Sequence, residues 1–370
     1  MRKFMIVILS VLMLIVNIPI ARASEVAYPQ ITLQQAIDKA IANSSTLRAD
    51  SLIVDQAKDN RDAAAQAVTF VPAGPTTPQA EGSFNALQQA DLNWQMAKRN
   101  YDADNDTVTI KVYQAYYGVL QAQAALEAAE RQLQNIEWQR KIAAVSYRVG
   151  MLSNSQMLQT DASYNGAQSQ LASAQKALND AYEKFNLLVG LMPEERPALT
   201  DQPVFAPLVI NSLDAEVSRV LDTSPTFWLL QKKVDLAKLA LDLYSFGPAE
   251  HQTYKATELG VPIAEQNVAS MQDQMTQMVR SLYYSIKQME ENYSGLQEKY
   301  AIDKENLRVA KIKYSAGVAT EGEVIAAQVN LAQDAQNMTN LICQHQLLVK
   351  AFEKPWAYAA SSSSSSSSTK

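Results

Sequence analysis

The sequence of 370 residues is poor in the residue types that build disulfides, metal sites and enzyme loops. It contains one cysteine, Cys343, two histidines and 11 glycines. A single cysteine excludes an intrachain disulfide, and neither His251 nor His345 has a second metal ligand at useful spacing. A glycine-rich phosphate loop, a nucleophile elbow and an HExxH motif are also missing. These absences argue against an enzyme and predict that the chain uses no metal or cofactor.

The charge gives no support for a nucleic-acid-binding protein, and the hydropathy argues against membrane-spanning helices in the body of the chain. The formal net charge is −6, which gives no support for binding nucleic acid. Beyond residue 23, no apolar run reaches the ~20 residues that a membrane-spanning helix needs. What remains is long stretches rich in Ala, Gln, Leu, Glu and Lys, which favour helix.

The two ends are interpreted separately from the body. Arg2 and Lys3 precede an apolar run, and Ala21-Arg22-Ala23 follows it, which is typical of a secretory signal peptide over residues 1–23. An uncleaved N-terminal anchor is the alternative. Residues 359–370 are rich in serine and have nothing to bury, so we expect a disordered tail there.

The body of the chain is a tandem duplication. Tyr116-Tyr117 recurs as Tyr283-Tyr284, and Tyr147-x-x-Gly150 recurs as Tyr314-x-x-Gly317, both at a separation of 167 residues. Further pairs keep this separation: Gln121 and Gln288, Ala143 and Ala310, Phe185 and Phe352. We therefore predict a first repeat over residues 24–192, a proline-rich connector over 193–211 and a second repeat over 212–358.

The apolar pattern predicts that each repeat is a long helical hairpin. Apolar residues recur at alternating spacings of three and four, which indicates a coiled-coil seam, interrupted only by Arg140 and Asp303. In the first copy the seam is Val119, Ala122, Leu126, Ala129, Leu133, Ile136, Ala143 and Tyr147, and in the second it is Ile286, Met289, Tyr293, Leu296, Tyr300, Leu307, Ala310 and Tyr314. The predicted fold class is all-α dominated, with two tandem antiparallel coiled-coil hairpins.

Glycines mark one end of each hairpin and prolines mark the other. Gly150 and Gly317 can adopt the left-handed conformation that ends a helix, and Ser153 and Thr320 can cap the next helix. The helix before Gly150 is expected to begin near Ala86 and to span ~95 Å. At the far end, the segments 68–78 and 244–262 are rich in helix-breaking residues.

These features resemble the outer membrane efflux protein family, the TolC-like channels. The resemblance covers roughly residues 31–358 and depends on the duplicated hairpin, on Gln114-Ala115-Tyr116-Tyr117, and on the turns that contain Gly150 and Gly317. It implies a homotrimer in the cell outer membrane and periplasm that forms a passive conduit for efflux or type I secretion. A periplasmic adaptor and an inner-membrane transporter would complete the system and would drive the export of small molecules or polypeptides.

The resemblance also assigns roles to particular residues. The adaptor-docking tip turns would be Val149, Gly150, Met151, Leu152 and Ser153, with Ala316, Gly317, Val318, Ala319 and Thr320 in the second copy. Glu323 would be the candidate for an acidic constriction at the entrance, whereas a second acidic position of the family falls on Ala326. The alternatives are that the glycines only end their helices and that Glu323 is a solvated glutamate at a helix start.

The sequence departs from the family where membrane strands are expected. A family member contributes four such strands, each of ~9–11 residues with alternating character. The segment from Val68 to Gly82 holds one short β-like run, and residues 246–261 show no apolar alternation. We therefore expect little or no β-barrel, although a strand from Phe84 to Trp94 is an alternative. This leaves a second function open: an extracytoplasmic coiled-coil structural or interaction protein that does not span the membrane.

Overall fold

The computed structural model describes residues 29–71, 74, 77–244 and 253–366. The expected signal peptide, His251 and the last four residues lie outside these ranges. In chain order the elements are β1 (Gln30–Ile31), α1 (Leu33–Asn43), α2 (Ser45–Gln66), α3 (Pro78–Arg148), α4 (Asn154–Val189), β2 (Ala198–Leu199), α5 (Leu213–Thr223), α6 (Pro225–Asp242), α7 (Tyr254–Ser315), α8 (Glu321–Glu353) and α9 (Pro355–Ser366).

The predicted fold class is confirmed: within the described residues the chain is almost entirely helical, and its strands have two residues each. The longest helix, α3, has 71 residues and so extends about 107 Å at 1.5 Å per residue. It begins at Pro78 rather than near Ala86, because the Thr77 side chain caps the backbone N–H of Ala80 and proline suits the first helical position.

The alternative of a strand between Phe84 and Trp94 is wrong. This segment belongs to α3, which is continuous from Pro78 to Arg148. The segment continues a helix whose start is marked by the Thr77 cap and by Pro78.

Each repeat is a hairpin supported by shorter helices. In the first repeat α3 packs against α4 along its C-terminal half and against α2 along its N-terminal half, where Arg61 lies 3.5 Å from Asp91. In the second repeat α7 packs in the same way against α8 and α6, where Lys238 lies 3.0 Å from Glu265.

The two hairpins also pack against each other, through α3 and α8. The helices run antiparallel: Gln121 of α3 donates to the carbonyl of Asn340 on α8 at 3.4 Å, and Lys350 lies over the ring of Tyr113 at 6.0 Å. Part of the apolar surface of both hairpins is therefore covered within one subunit.

The duplication is visible in the cores of the two repeats. Tyr116 contacts Phe185 at a ring separation of 5.9 Å, and its counterpart Tyr283 contacts Phe352 at 6.3 Å. Both phenylalanines are buried. The copies have diverged nearby, because Tyr117 is buried whereas Tyr284 is exposed.

A short parallel pairing ties the start of the chain to the connector. Gln30 and Ile31 of β1 pair with Ala198 and Leu199 of β2. The Tyr116 hydroxyl bonds to both segments. It donates to the Ile31 carbonyl at 3.3 Å and accepts from the backbone N–H of Asp201 at 2.9 Å.

The C-terminal region differs from the expectation of disorder after residue 358. Helix α9 continues to Ser366, and it packs on α3, where Gln114 donates to the Ser361 hydroxyl at 3.3 Å. Ser361 is buried. The first part of the serine run is thus helical because it follows an anchored helix rather than standing alone.

In the part of the chain that the structure describes, we find no helix both long and apolar enough to cross a membrane.

Candidate functional site

The first tip turn closes the α3–α4 hairpin through a glycine in the left-handed conformation. Gly150 has φ of 78°, which costs a glycine little because it has no Cβ. The N–H of Gly150 donates to the Tyr147 carbonyl at 3.0 Å, and the N–H of Met151 donates to the Ser146 carbonyl at 2.9 Å. These bonds satisfy carbonyls that the end of the helix leaves free.

The second tip turn repeats this geometry. Gly317 has φ of 72°, its N–H donates to the Tyr314 carbonyl at 3.0 Å, and the N–H of Val318 donates to the Lys313 carbonyl at 2.9 Å. The predicted helix-ending role of both glycines is therefore visible, and both turns present their side chains in the same way.

The side chains of the two turns form matching apolar surfaces. Met151 is 82% exposed and Val318 is 74% exposed, whereas Leu152 and Ala319, one residue later, are half-buried. The other predicted tip residues are exposed: Val149, Gly150, Ser153, Ala316, Gly317 and Thr320. Exposed aliphatic residues at the apex of a rigid hairpin are a suitable contact surface for a partner protein.

The helices that follow the turns begin with reciprocal caps. Ser153 accepts from the N–H of Gln156, whose side chain accepts from the N–H of Ser153 at 3.0 Å. Thr320 and Glu323 form the same capping box, in which the carboxylate accepts from the Thr320 N–H at 3.1 Å and from its hydroxyl at 3.0 Å. The backbone and hydroxyl bonds from Thr320 hold the pKa of Glu323 below its ordinary value.

Comparison with known proteins agrees with this architecture. A family profile described as "Outer membrane efflux protein" matches residues 80–191. The resemblance to the outer membrane efflux protein family is confirmed. No curated protein sequence matches the chain.

Solved outer-membrane channels share the fold of this chain. CusC superposes with a TM-score of 0.62 at 15% sequence identity, over 90% of this chain and 93% of that one. VceC of Vibrio cholerae gives 0.61 at 14% identity, over 88% and 95%. MtrE of Neisseria gonorrhoeae gives 0.60 at 14% identity, over 90% and 89%.

The polar residues that interrupt the two seams form ion pairs. Arg140 Nε lies 2.6 Å from Asp161 Oδ1 on the facing helix α4, and its guanidinium lies over the Tyr164 ring at 4.8 Å. Sequence periodicity identified Arg140 as an interruption but could not name its partner, which lies on another helix.

The second hairpin carries a more buried pair. Lys299 of α7 bonds to Asp334 of α8 and lies 3.1 Å from Asp303. Asp334 is 1% exposed, and its Oδ2 has no hydrogen-bond partner among the described residues. Its counterpart in the first repeat is the buried residue Ala167. The two hairpins therefore differ in polarity at the same level of their stems.

A polar cluster on the second hairpin holds the connector, and sequence reasoning missed it. Glu290 accepts from the Leu208 N–H at 2.6 Å and pairs with Lys287 at 2.7 Å. The buried His345 lies 3.4 Å from Glu290 and 4.9 Å from the Phe205 ring. Burial raises the pKa of Glu290, but bonds from Lys287 and Leu208 outweigh it and lower the pKa overall. Nothing local in the sequence brings these residues together.

His345 thus has a role in packing the connector. Among the described residues, His, Cys, Asp and Glu side chains form no group of three that could hold a metal ion.

Proposed function

We propose that this protein is the outer-membrane-factor component of a tripartite efflux or secretion system. It would act as a passive conduit in the outer membrane and periplasm, with no chemistry of its own. Three copies would form the passage, and a periplasmic adaptor and an inner-membrane transporter would supply small molecules or polypeptides to it. The family match and the shared fold support this role. Within it we divide the chain into a signal peptide (1–23), two repeats (24–192 and 212–358), a connector (193–211) and a tail (359–370).

The observation that carries the proposal is apolar surface left exposed on slender helices. Large aliphatic residues along both hairpin stems are about half exposed or more: Ile142, Val145, Leu158, Ile302 and Ile312. Monomeric soluble proteins rarely leave such residues in long rows, because burying apolar area stabilises by roughly 25 cal/mol per Å². Sister copies placed side by side would cover these rows and enclose a passage.

The tip turns are the proposed adaptor contact. Their exposed aliphatic residues, Met151 and Val318, lie at the apices of the two long helical hairpins. Replacement of either residue by aspartate should reduce export in cells while leaving the oligomer intact, since a charge at the apex opposes apolar contact without touching the stems.

Glu323 is the proposed entrance carboxylate. In a trimer, one Glu323 per subunit would form a ring of three negative charges and would favour cations. Its capping bonds to Thr320 support a structural role that is compatible with this one, because a capping carboxylate keeps its charge.

Conductance in a planar bilayer tests both the conduit and the ring. The purified protein should form pores, and Glu323→Gln should lower the cation preference while keeping the cap bond. Glu321→Gln is the matched control, because Glu321 lies in the same helical turn whereas the capping box uses Glu323. Absence of pores at any protein concentration would contradict the conduit, and an equal effect of the two substitutions would contradict the ring.

The second candidate is an extracytoplasmic spacer that does not cross the membrane. It is favoured by the short connections at the ends of the hairpins away from the tip turns, since only residues 67–77 separate α2 from α3 and only 243–253 separate α6 from α7. Cell fractionation separates the candidates. A channel should remain with the outer membrane until detergent is added, whereas a spacer should be released by salt.

A further inference from the structure

A contact between the two hairpins near the tips joins Trp138 of α3 to Gly322 of α8. The indole packs directly on the glycine: a Cβ built on Gly322 would lie 2.3 Å and 2.4 Å from two ring carbons of Trp138. Real Cβ atoms do not approach a ring so closely, and the indole cannot bend away as a flexible side chain would. Any residue other than glycine at position 322 would therefore displace Trp138.

This contact belongs to a nearly constant register along the α3–α8 interface. Starting from Trp138 and Gly322, a step of 17 residues back along α3 reaches Gln121, and its partner on α8, Asn340, lies 18 residues further on. A further step reaches Tyr113 and Lys350, again in contact. The helices are therefore antiparallel, and their register shifts by only three residues between the Tyr113–Lys350 contact and the Trp138–Gly322 contact.

The offset places the two tip turns at different heights. Gly322 is the second residue of α8, and Trp138 lies ten residues before the end of α3 at Arg148. Helix α3 therefore continues past the start of α8 by about nine residues, or about 14 Å at 1.5 Å per residue. The turns that follow have the same backbone geometry, so they do not compensate for this difference.

The exposure of α3 agrees independently with the offset. Ile142, Val145 and Val149 follow Trp138 by four, seven and eleven residues, so they continue the face that packs on α8. They are 50%, 49% and 64% exposed. This face of α3 stays apolar up to the first tip turn, but α8 covers it only as far as the start of α8 at Glu321.

We infer that Trp138 and Gly322 set the register between the hairpins and hold the first tip turn about 14 Å ahead of the second. Trp138 is a positioning residue for the candidate tip site, and glycine at 322 is the condition for its contact. The register does not depend on the proposed conduit. If the conduit is correct, a partner approaching the tips meets the turn at Gly150 first.

Cysteine crosslinking in purified full-length protein tests the register, in a Cys343→Ala background. The pair Arg131→Cys with Val329→Cys lies one heptad from the Trp138–Gly322 contact on both helices. It should crosslink in most chains with a reagent that spans one helix–helix contact. The pair Ile142→Cys with Ile325→Cys would face each other only if the two turns were level, and it should stay uncrosslinked. Efficient crosslinking of the second pair would overturn the inference, whether or not the protein forms pores.

The role of the contact is tested by a matched pair of glycine substitutions. Gly322→Ala should abolish the crosslink between positions 131 and 329, because the new Cβ displaces the indole. Gly295→Ala, also in a long helix but with open space at its Cβ, should leave it unchanged. Trp138→Ala in the otherwise unchanged protein should also lower this crosslink, since the contact that holds the register is lost. Equal behaviour of the two glycine variants, or an unchanged crosslink in Trp138→Ala, would show that Trp138 does not set the register.

Discussion

At the scale of single residues, backbone conformation distinguishes glycines that look alike in the sequence. Gly150 and Gly317 have positive φ, whereas Gly118 lies inside α3 with open space where an alanine methyl group would lie. The left-handed region costs an L-residue about 1–2 kcal/mol, while alanine is favoured over glycine inside a helix.

Alanine substitutions should therefore have opposite signs at these sites. Gly150→Ala should lower the free energy of unfolding by about 1 kcal/mol, and Gly118→Ala should raise it by up to about 1 kcal/mol. Urea unfolding followed by circular dichroism measures both. If Gly150→Ala stabilised the protein as much as Gly118→Ala does, the left-handed turn would be refuted.

The two capping boxes should respond differently to acid. The pKa of Glu323 is lowered below its ordinary value of 4.5 by bonds from Thr320, so its contribution to stability is present above that value and is lost as the pH falls through the folded pKa. Gln156, at the same place in the first hairpin, does not titrate.

We expect acidification below pH 4.5 to loosen the second tip turn and to leave the first unchanged. Amide hydrogen exchange, corrected for its intrinsic pH dependence, would show lost protection after Thr320 but not after Ser153. In Glu323→Gln the difference between the turns should disappear. Equal loss of protection at both turns in the wild-type protein would contradict this explanation.

At the scale of elements, the α7–α8 stem contains an ion pair with unequal surroundings. Lys299 is 58% exposed, but Asp334 is 1% exposed. Removal of the lysine leaves a buried carboxylate without a partner charge, whereas removal of the aspartate leaves a lysine that water can solvate.

Substitution of the two partners should consequently have very different costs. Lys299→Met should destabilise by about 3 kcal/mol, and Asp334→Ala, which introduces the residue found at the equivalent position 167, should cost less than about 1 kcal/mol. Chemical denaturation of both variants at neutral pH measures the two losses in the free energy of unfolding. Similar losses would mean that Asp334 is solvated in the folded protein.

The elements that local signals define were predictable from the sequence. The helix ends at Gly150 and Gly317 and the caps at Ser153 and Thr320 follow from residue types within one turn of each other, and the structure places them as expected. The predicted start of α3 near Ala86 is eight residues too late, although Thr77 followed by Pro78 is a local signal for a helix start.

Contacts between distant segments were not predictable in this way. Trp138 and Gly322 lie on different hairpins, and so do not share any local pattern. The same holds for Glu290 and the connector residue Leu208. A single sequence shows which residues are apolar or charged, but the register between packed helices depends on the whole assembly of elements.

At the scale of the whole molecule, the hairpins cover one another only partly. The packed stems bury residues near the middle of their long helices, such as Val119 and Ile286, but Tyr147 and Tyr314, close to the turns, remain exposed. One subunit is therefore not sufficient to bury the seams that the sequence repeats twice, and the proposed trimer would cover them.

The molar mass of the purified protein in detergent tests this claim most directly. Light scattering that subtracts the detergent contribution should give three times the mass of one chain, and aspartate at both Ile302 and Ile312 should shift the population toward single chains. A mass of one chain at high protein concentration, with the helices intact, would contradict the account.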